Sequence, residues 1–282
     1  MLRYFLAVAD ERHFGRAATR LHMTQPPLSR AIRQLETDLG VTLLHRSATG
    51  VELTVAGQTL YQEASSLLDQ ADQVRTRVMA SAGAVTLTVG VLGDSASAVS
   101  ARLASAFRDR HPGVPIRFRE ADFADPTTGL RTGTVDVALT RTPFDETGIS
   151  TRVLRSDPVG VVLRADDPLA GRGPLRLADL VDRPWFQLPD GTDPAWRTYW
   201  NGMTPVGQRP AGPVVRTVNE CMQAVLWNGY VGIAPLSHGL PDGLVCAPLT
   251  DMAPSPLVVA WLTARESPLT RSFTRIAVEV ID

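Results

Sequence analysis

The sequence contains no lysine; all 28 of its basic side chains are arginine. Such usage reflects genome composition as readily as chemistry, so guanidinium abundance alone does not signal a phosphate site. Excess of either charge is also missing. The formal net charge of -1 excludes a protein coated throughout in positive charge, although a small basic module fits inside a neutral total. Cysteine is scarce: Cys221 and Cys246 lie far apart and outside any C-x-x-C pair, which excludes a disulfide framework and a thiolate zinc site and fits a reducing compartment. Long apolar runs are absent too. The stretch "MLRYFLAVADERHFGRAA" is too short to span a bilayer and continues into acids and arginines rather than a small-residue cleavage site. Neither a secretion signal nor a transmembrane helix is expected, and the expected location is the cytoplasm. The five histidines, His13, His22, His45, His111 and His238, show no ligand spacing, and no G-x-S-x-G elbow organises the serines. No catalytic constellation, metal or cofactor is expected, and the chain does not read as an enzyme.

What remains is a globular composition, 44% hydrophobic and 20% charged over 282 residues, enough for two ordinary domains. Residues 1–82 read as helices with one interruption. Leu2, Phe5, Leu6 and Ala9 recur at helical spacing, as do Phe14, Ala17, Ala18 and Leu21, then Leu28, Ile32, Leu35 and Leu39. Gly40 stops the third helix, and "VTLLHRSATGVELT" alternates as a two-stranded wing turning at "SATG". Thr54 caps a longer helix in which Leu60, Ala64, Leu67, Ala71, Val74 and Val78 form a heptad seam suited to pairing two chains. After Gly83 strands and helices alternate. "VTLTVGV", "VPIRFRE", "TVDVALT", "VGVVLR", "VVRTV", "YVGIAP" and "LVVAWL" read as strands, and helices are expected at "SAVSARLASAFRDRHPG", "LADLV", "PAWRTYWNG", "NECMQAVLWNG" and "SPLTRSFTRIAVEVI".

The third helix, within "MTQPPLSRAIRQLETDLG", carries the first functional signal. Its apolar stripe turns Gln25, Ser29, Arg30, Arg33 and Gln34 outward. Thr24 is placed to cap the amino end. Pro26 and Pro27 cost little in a first turn, and the stiff turn favours phosphate near Gln25. The short turn "HMT" joins this helix to one with small residues Ala17 and Ala18, which is a helix-turn-helix pattern. In that geometry the second helix enters the major groove. Arg and Gln there make bidentate bonds to guanine and adenine, while His45 and Arg46 on the wing reach the flanking backbone or minor groove.

The run "FGRAATRLHMTQPPLSRAIRQLETDLGVTLLHRSATGVELTVAGQTL" resembles the winged helix-turn-helix of LysR-type transcriptional regulators, and the rest of the chain is similar to that family more loosely. The resemblance implies an α/β protein with an all-α amino-terminal part. A winged helix-turn-helix (1–58) and a linker or dimerisation helix (59–83) would precede a two-lobed, periplasmic-binding-protein-like (type 2) effector domain (84–282). Lobe I would take about 84–158 and 245–282, and lobe II about 159–244. It further implies sequence-specific binding of double-stranded promoter DNA by Thr24, Gln25, Pro26, Ser29, Arg30, Arg33, Gln34 and Arg46. A homodimer or homotetramer, a small-molecule effector between the lobes and contact with RNA polymerase follow from the same resemblance.

In open α/β sheets ligands sit beyond the carboxyl ends of strands. The segment "VGVLGDSASA" leaves the first strand through Gly90 and Gly93, which reads either as a ligand loop or as a capped helix with a glycine for close packing. The resemblance implies effector contacts at Asp94, Ser95, Phe123, Thr140, Arg141, Gln187, Pro189, Val218 and Asn219. An acid at Asp94 would repel a carboxylate unless Arg141 offsets it, so a neutral or amine-bearing effector is the expectation. Cys221, beside Met222, Val225 and Leu226, reads as core. "DPAWRTYW" reads as a cleft wall or as ordinary packing. Two competitors stand: a solute-binding or enzymatic domain with an incidental helical head, and a constitutive DNA binder without a ligand. The first lacks an export signal and an acid/base pair in the sequence; the second differs only in ligand response.

Overall fold

A computed structural model of the chain describes residues 1–47, 50–81, 85–93, 97–202 and 211–281. It forms two compact units, Met1–Arg75 and Thr76–Asp282.

In the first unit, α1 (Leu2–Glu11), α2 (Phe14–Arg20) and α3 (Gln25–Leu39) close around Phe5, Val8, Ala17, Leu28 and Ile32. His13 caps α2: its Nδ1 accepts from the Gly15 and Arg16 amides at 3.0 and 3.3 Å. Gly40, at φ +68°, ends α3 in the left-handed conformation, with the Val41 amide returning to the Glu36 carbonyl. The Glu36 carboxylate then accepts from the Leu43 and Leu44 amides at 2.9 and 3.2 Å and ties the wing to α3. The wing pairs β1 (Leu44–Ser47) antiparallel with β2 (Gly50–Leu53); residues 48 and 49 at its tip lie outside the described residues.

Two expectations for α3 need correction. Leu39 does not join the buried stripe; it stands 49% exposed in the last turn, beyond the reach of the small core. Thr24 occupies the cap position with extended dihedrals, yet its hydroxyl makes no cap bond. The reason is local: a cap oxygen accepts from the second or third helical amide, and here those residues are Pro26 and Pro27, which have none.

Thr54 does cap α4 (Val55–Ser81), its Oγ accepting from the Gly57 amide at 2.9 Å and donating to the Thr42 carbonyl at 2.8 Å. The seam begins with Leu60 packed on the first unit's core and with Ala64 buried, then leaves Leu67, Val74 and Val78 more than half exposed.

The second unit holds two sheets. The larger has strand order β4-β3-β5-β12-β6, built from β3 (Leu87–Leu92), β4 (Ile116–Ala121), β5 (Val137–Arg141), β6 (Ile149–Asp157) and β12 (Ser255–Leu262). β3 runs parallel to β4 and β5, β12 antiparallel to β5 and β6. Helices α5 (Ser97–Arg110) and α8 (Pro268–Ile281) bury Phe107, Phe273 and Ile276 on this sheet's core. The smaller, β10-β7-β11, joins β7 (Val159–Arg164) to β10 (Gly232–Pro235) and β11 (Leu244–Pro248). A parallel pair, β8 (Trp185–Gln187) with β9 (Ala211–Val214), and helices α6 (Pro194–Trp200) and α7 (Val218–Asn228) complete that lobe.

Because β11 pairs with β7, the chain returns to the larger sheet between Pro248 and Ser255, later than position 245. "LADLV" forms a short 3-10 turn, Leu177–Leu180. "VVRTV" is not a strand: β9 ends at Val214 and α7 opens at Val218. The edge strand β6 was not visible in the sequence, because "ISTRVLRSD" spreads its charges over a half-exposed ribbon without clean alternation.

Candidate functional sites

The first candidate is the outward face of α3. Gln25, Pro26, Arg30, Arg33 and Gln34 are exposed there, Thr24 is exposed just ahead of them, and Ser29 is half-buried. The arginines of the first unit fall into two kinds. Arg20 reaches Asp10 and Glu11 at 3.1 and 3.4 Å, and Arg16 reaches Glu11 at 3.6 Å, so both are partly neutralised. The guanidinium groups of Arg30 and Arg33 meet no acid and no acceptor among the described residues. Two like charges one turn apart, unpaired on a rigid helix, repel each other unless an anion lies across them. Gln34 differs, since its Nε2 donates to the Asp38 carboxylate at 2.7 Å, an engagement that a groove partner would have to displace. With two prolines in the first turn, few free amides are left at the amino end, which weakens the phosphate role expected near Gln25. Arg46 lies on β1, and its side chain is outside the described residues.

The second candidate is a cavity in the second unit, where topology dictates the contents. β3, β4 and β5 are parallel and end on the same edge of the sheet. β6 ends and β12 begins on that edge too, because both are paired antiparallel. The register sets Arg141 opposite Leu257 and Asp157 opposite Ser255, which gathers one ion network at the sheet end. Arg141 is almost fully buried; it donates to the Ser255 carbonyl at 2.9 Å and to the Asp157 carboxylate at 2.7 Å. Arg155 donates through Nε to the same Asp157 oxygen at 3.1 Å and through Nη2 to the Ser237 hydroxyl at 3.3 Å. Burial pushes the Asp157 carboxyl up, but the Arg141 bond and both guanidinium charges outweigh it and hold the group below the usual carboxylate range.

Phe123, Arg141, Arg155, Trp196, Trp200 and Val218 are among the residues around this cavity, which leaves about 90 Å³ for the centres of water-sized molecules. That is room for a small molecule rather than a single water. Gly93, at φ +49°, passes so close to α7 that an added Cβ would lie 2.6 Å from the Val218 side chain; this fits the close-packing reading of that glycine. The Phe123 amide donates to the Arg216 carbonyl at 2.8 Å, and Arg216 pairs with Asp122 at 2.9 Å, which ties the segment after β4 to the one before α7.

Of the expected effector residues, Phe123, Arg141 and Val218 are brought together on the cavity. Thr140 is fully buried and donates to the Pro126 carbonyl at 2.6 Å instead. Gln187 turns its amide to the Trp185 carbonyl at 3.1 Å, and the Pro189 carbonyl accepts from Thr192; Leu188 between them lines the wall. Asn219 is not on the cavity; it borders an adjoining open depression that shares Val218, Met222 and His238 with it. Asp94 and Ser95 lie outside the described residues.

Arg155, Phe186, Ser237 and His238 were missed, since nothing in their local sequence points to a cleft. Trp196 and Trp200 satisfy both readings of "DPAWRTYW": their rings pack at 5.3 Å and also wall the cavity. Tyr199 on the same helix donates to the Ala253 carbonyl at 2.6 Å, and burial pushes its hydroxyl up to about 12. Cys221 is core, as expected, though it also touches the cavity. Burial and the neighbouring Glu220 push its thiol well up, which leaves it a poor nucleophile. Among the described residues no group of three His, Cys, Asp or Glu is gathered as a metal site would need, and no helix is long and apolar enough to cross a membrane.

Comparison with known proteins gives a consistent set of relatives. The family model "Bacterial regulatory helix-turn-helix protein, lysR family" matches residues 1–58, and "LysR substrate binding domain" matches 81–282. The chain is 35% identical over 201 residues to the HTH-type transcriptional regulator AlsR of Bacillus subtilis (strain 168), a stretch covering 71% of this chain and 66% of that protein, just under two thirds of its length. It is 32% identical over 279 residues to the HTH-type transcriptional regulator XapR of Escherichia coli (strain K12), covering 95% and 93%. A solved structure of a full-length OxyR variant from Pseudomonas aeruginosa is similar with a TM-score of 0.54 at 26% identity, covering 100% of this chain and 98% of that one.

Proposed function

The chain belongs to the LysR family of bacterial helix-turn-helix regulators, and from that membership we propose that it is a sequence-specific, DNA-binding transcriptional regulator controlled by a small molecule held in the cavity of its second unit. The family is one of regulators rather than enzymes. The observation that carries the proposal is the pair of unneutralised guanidinium groups, Arg30 and Arg33, on the outward face of α3, in a unit whose Arg16 and Arg20 are tied to acids. Gln25, Pro26 and Ser29 complete the reading surface, Thr24 supplies a hydroxyl that the prolines leave without a cap bond, and Gln34 and Arg46 flank it.

Residues 1–58 serve as the DNA-binding domain, 59–83 as the linker helix and 84–282 as the effector domain. The exposed seam of α4 supports at least a homodimer, with a homotetramer as the next assembly. A dimer sets two recognition helices in successive major grooves, at half-sites about one or more turns of roughly 34 Å apart. Promoter binding places the protein in the cytoplasm, within reach of RNA polymerase. Phe123 and Val218 contact the effector, Arg141 borders it, and a ligand that binds one placement of the lobes better than another shifts the placement of the subunits on DNA. DNase footprinting of the full chain on the DNA upstream of its own gene tests this reading. Two protected half-sites on one face of the duplex are expected, and an unprotected fragment at micromolar protein would overturn it.

A further inference from the structure

We propose that the effector is a small monoanion with an apolar body, such as a monocarboxylate, and that Arg155 is the residue that selects it; the proposal rests on the regulator reading above.

The charge balance of the cavity carries the argument. Among its described lining residues are two guanidinium groups, Arg141 and Arg155, and no carboxylate. The acid that touches them among the described residues is Asp157, which offers a single oxygen to both. Among the described residues one positive charge therefore stays uncompensated beside a mostly apolar space, where a counterion of the right size is strongly favoured.

The two arginines are not equivalent. Arg141 is held by the Ser255 carbonyl and Asp157 and is buried, so its role is to hold Asp157 and fix the local field. Arg155 keeps about a third of its side chain exposed, at 31%, and reserves only a long bond to Ser237 beyond its contact with Asp157. Its remaining N–H groups are the natural seat for a carboxylate.

The walls agree with the charge. Phe123, Phe186, Trp196 and Trp200 line the space with rings, a setting for the ligand's apolar body. An ammonium group would meet the guanidinium charge instead, which disfavours it. Arg155 stands on β6 of the larger sheet, whereas Ser237 follows β10 of the smaller one. An anion that takes the guanidinium from Ser237 and lodges among the smaller lobe's rings would bridge the two lobes, so occupancy and lobe placement become coupled. The opposite expectation, a neutral or amine-bearing effector, rested on Asp94 alone.

The test is calorimetric titration of the full chain with matched sets: benzoate, benzamide and benzylamine; isovalerate and its amide and amine; hexanoate and its amide and amine. At least one carboxylate is expected to bind about tenfold or more tighter than its amide, with no binding of the amines. The Arg155→Gln variant should lose that preference and Arg155→Lys should regain part of it. Absence of carboxylate binding up to ~10 mM, or amides or amines binding as well as every carboxylate, would overturn the proposal. An unchanged preference in Arg155→Gln would remove Arg155 from the role. DNA binding measured on the same wild-type preparation separates the two claims: protein that binds promoter DNA but prefers amines refutes the ligand class only, while protein that ignores promoter DNA refutes the regulator reading.

Discussion

Arginine carries all of this protein's basic charge, and what distinguishes one arginine from another is its partner. Arg16 and Arg20 are tied to Asp10 and Glu11, Arg141 and Arg155 converge on Asp157, and Arg30 and Arg33 face outward and meet no acid among the described residues. Replacing Arg33 by alanine should weaken operator binding by about 1–3 kcal/mol if it reads a guanine, with discrimination at that base lost, as a competition titration would show. The Arg141–Asp157 pair behaves differently because it is buried. Asp157→Ala would leave the Arg141 charge without its partner, and denaturant unfolding should report a loss of about 3 kcal/mol or more. Its pH dependence has a definite sign. The folded-state pKa of Asp157 is depressed, so its contribution is complete above the ordinary carboxylate value of about 3.9 and is lost as pH falls through the lower folded value. Wild-type unfolding followed between about pH 5 and pH 2 should show this acid loss, and the Asp157→Ala variant should show less of it.

At the scale of elements, local patterns were legible and long-range ones were not. The helical spacing of Phe5, Ala17, Leu28 and Ile32 marked α1 to α3, and Thr54 marked the start of α4, because capping and amphipathicity act within a few residues. Leu39 and Thr24 went astray for reasons equally local: a last turn that overhangs the core, and two prolines where a cap needs amides. The cavity was only partly legible. Phe123, Arg141 and Val218 were expected from the family resemblance alone, whereas Arg155 becomes a neighbour of Arg141 only through the pairing of β12 with both β5 and β6, a register set by residues about a hundred positions away. The joint between the wing and α4 supplies a sharp test. Alanine at an interior helix position normally stabilises by up to about 1 kcal/mol over glycine. At Gly57, however, a Cβ would lie 2.1 Å from the Leu43 carbonyl oxygen. Gly57→Ala should therefore destabilise by about 1–3 kcal/mol, visible as a lowered Tm; a raised Tm would mean that the wing yields freely.

For the whole molecule, the proposed function requires joining two such chains and relaying ligand state to DNA. Leu67, Val74 and Val78 are exposed at 55%, 52% and 64% along one helix, an apolar stripe suited to a matching helix in a second copy. Introducing Leu67→Glu together with Val74→Glu should shift sedimentation from dimer or tetramer to monomer and, through loss of one half-site, cut promoter affinity by orders of magnitude. Unaltered sedimentation would place the subunit contact elsewhere. Beneath all of this lies the claim that the outer face of α3 reads DNA, and fluorescence anisotropy of the full chain on its footprinted fragment, titrated at several salt concentrations, tests it most directly. The expected result is a steep linear fall of log affinity with log salt, and for the Arg30→Ala, Arg33→Ala double variant a shallower slope and no preference over unrelated DNA. A double variant with wild-type affinity, slope and preference would contradict the account.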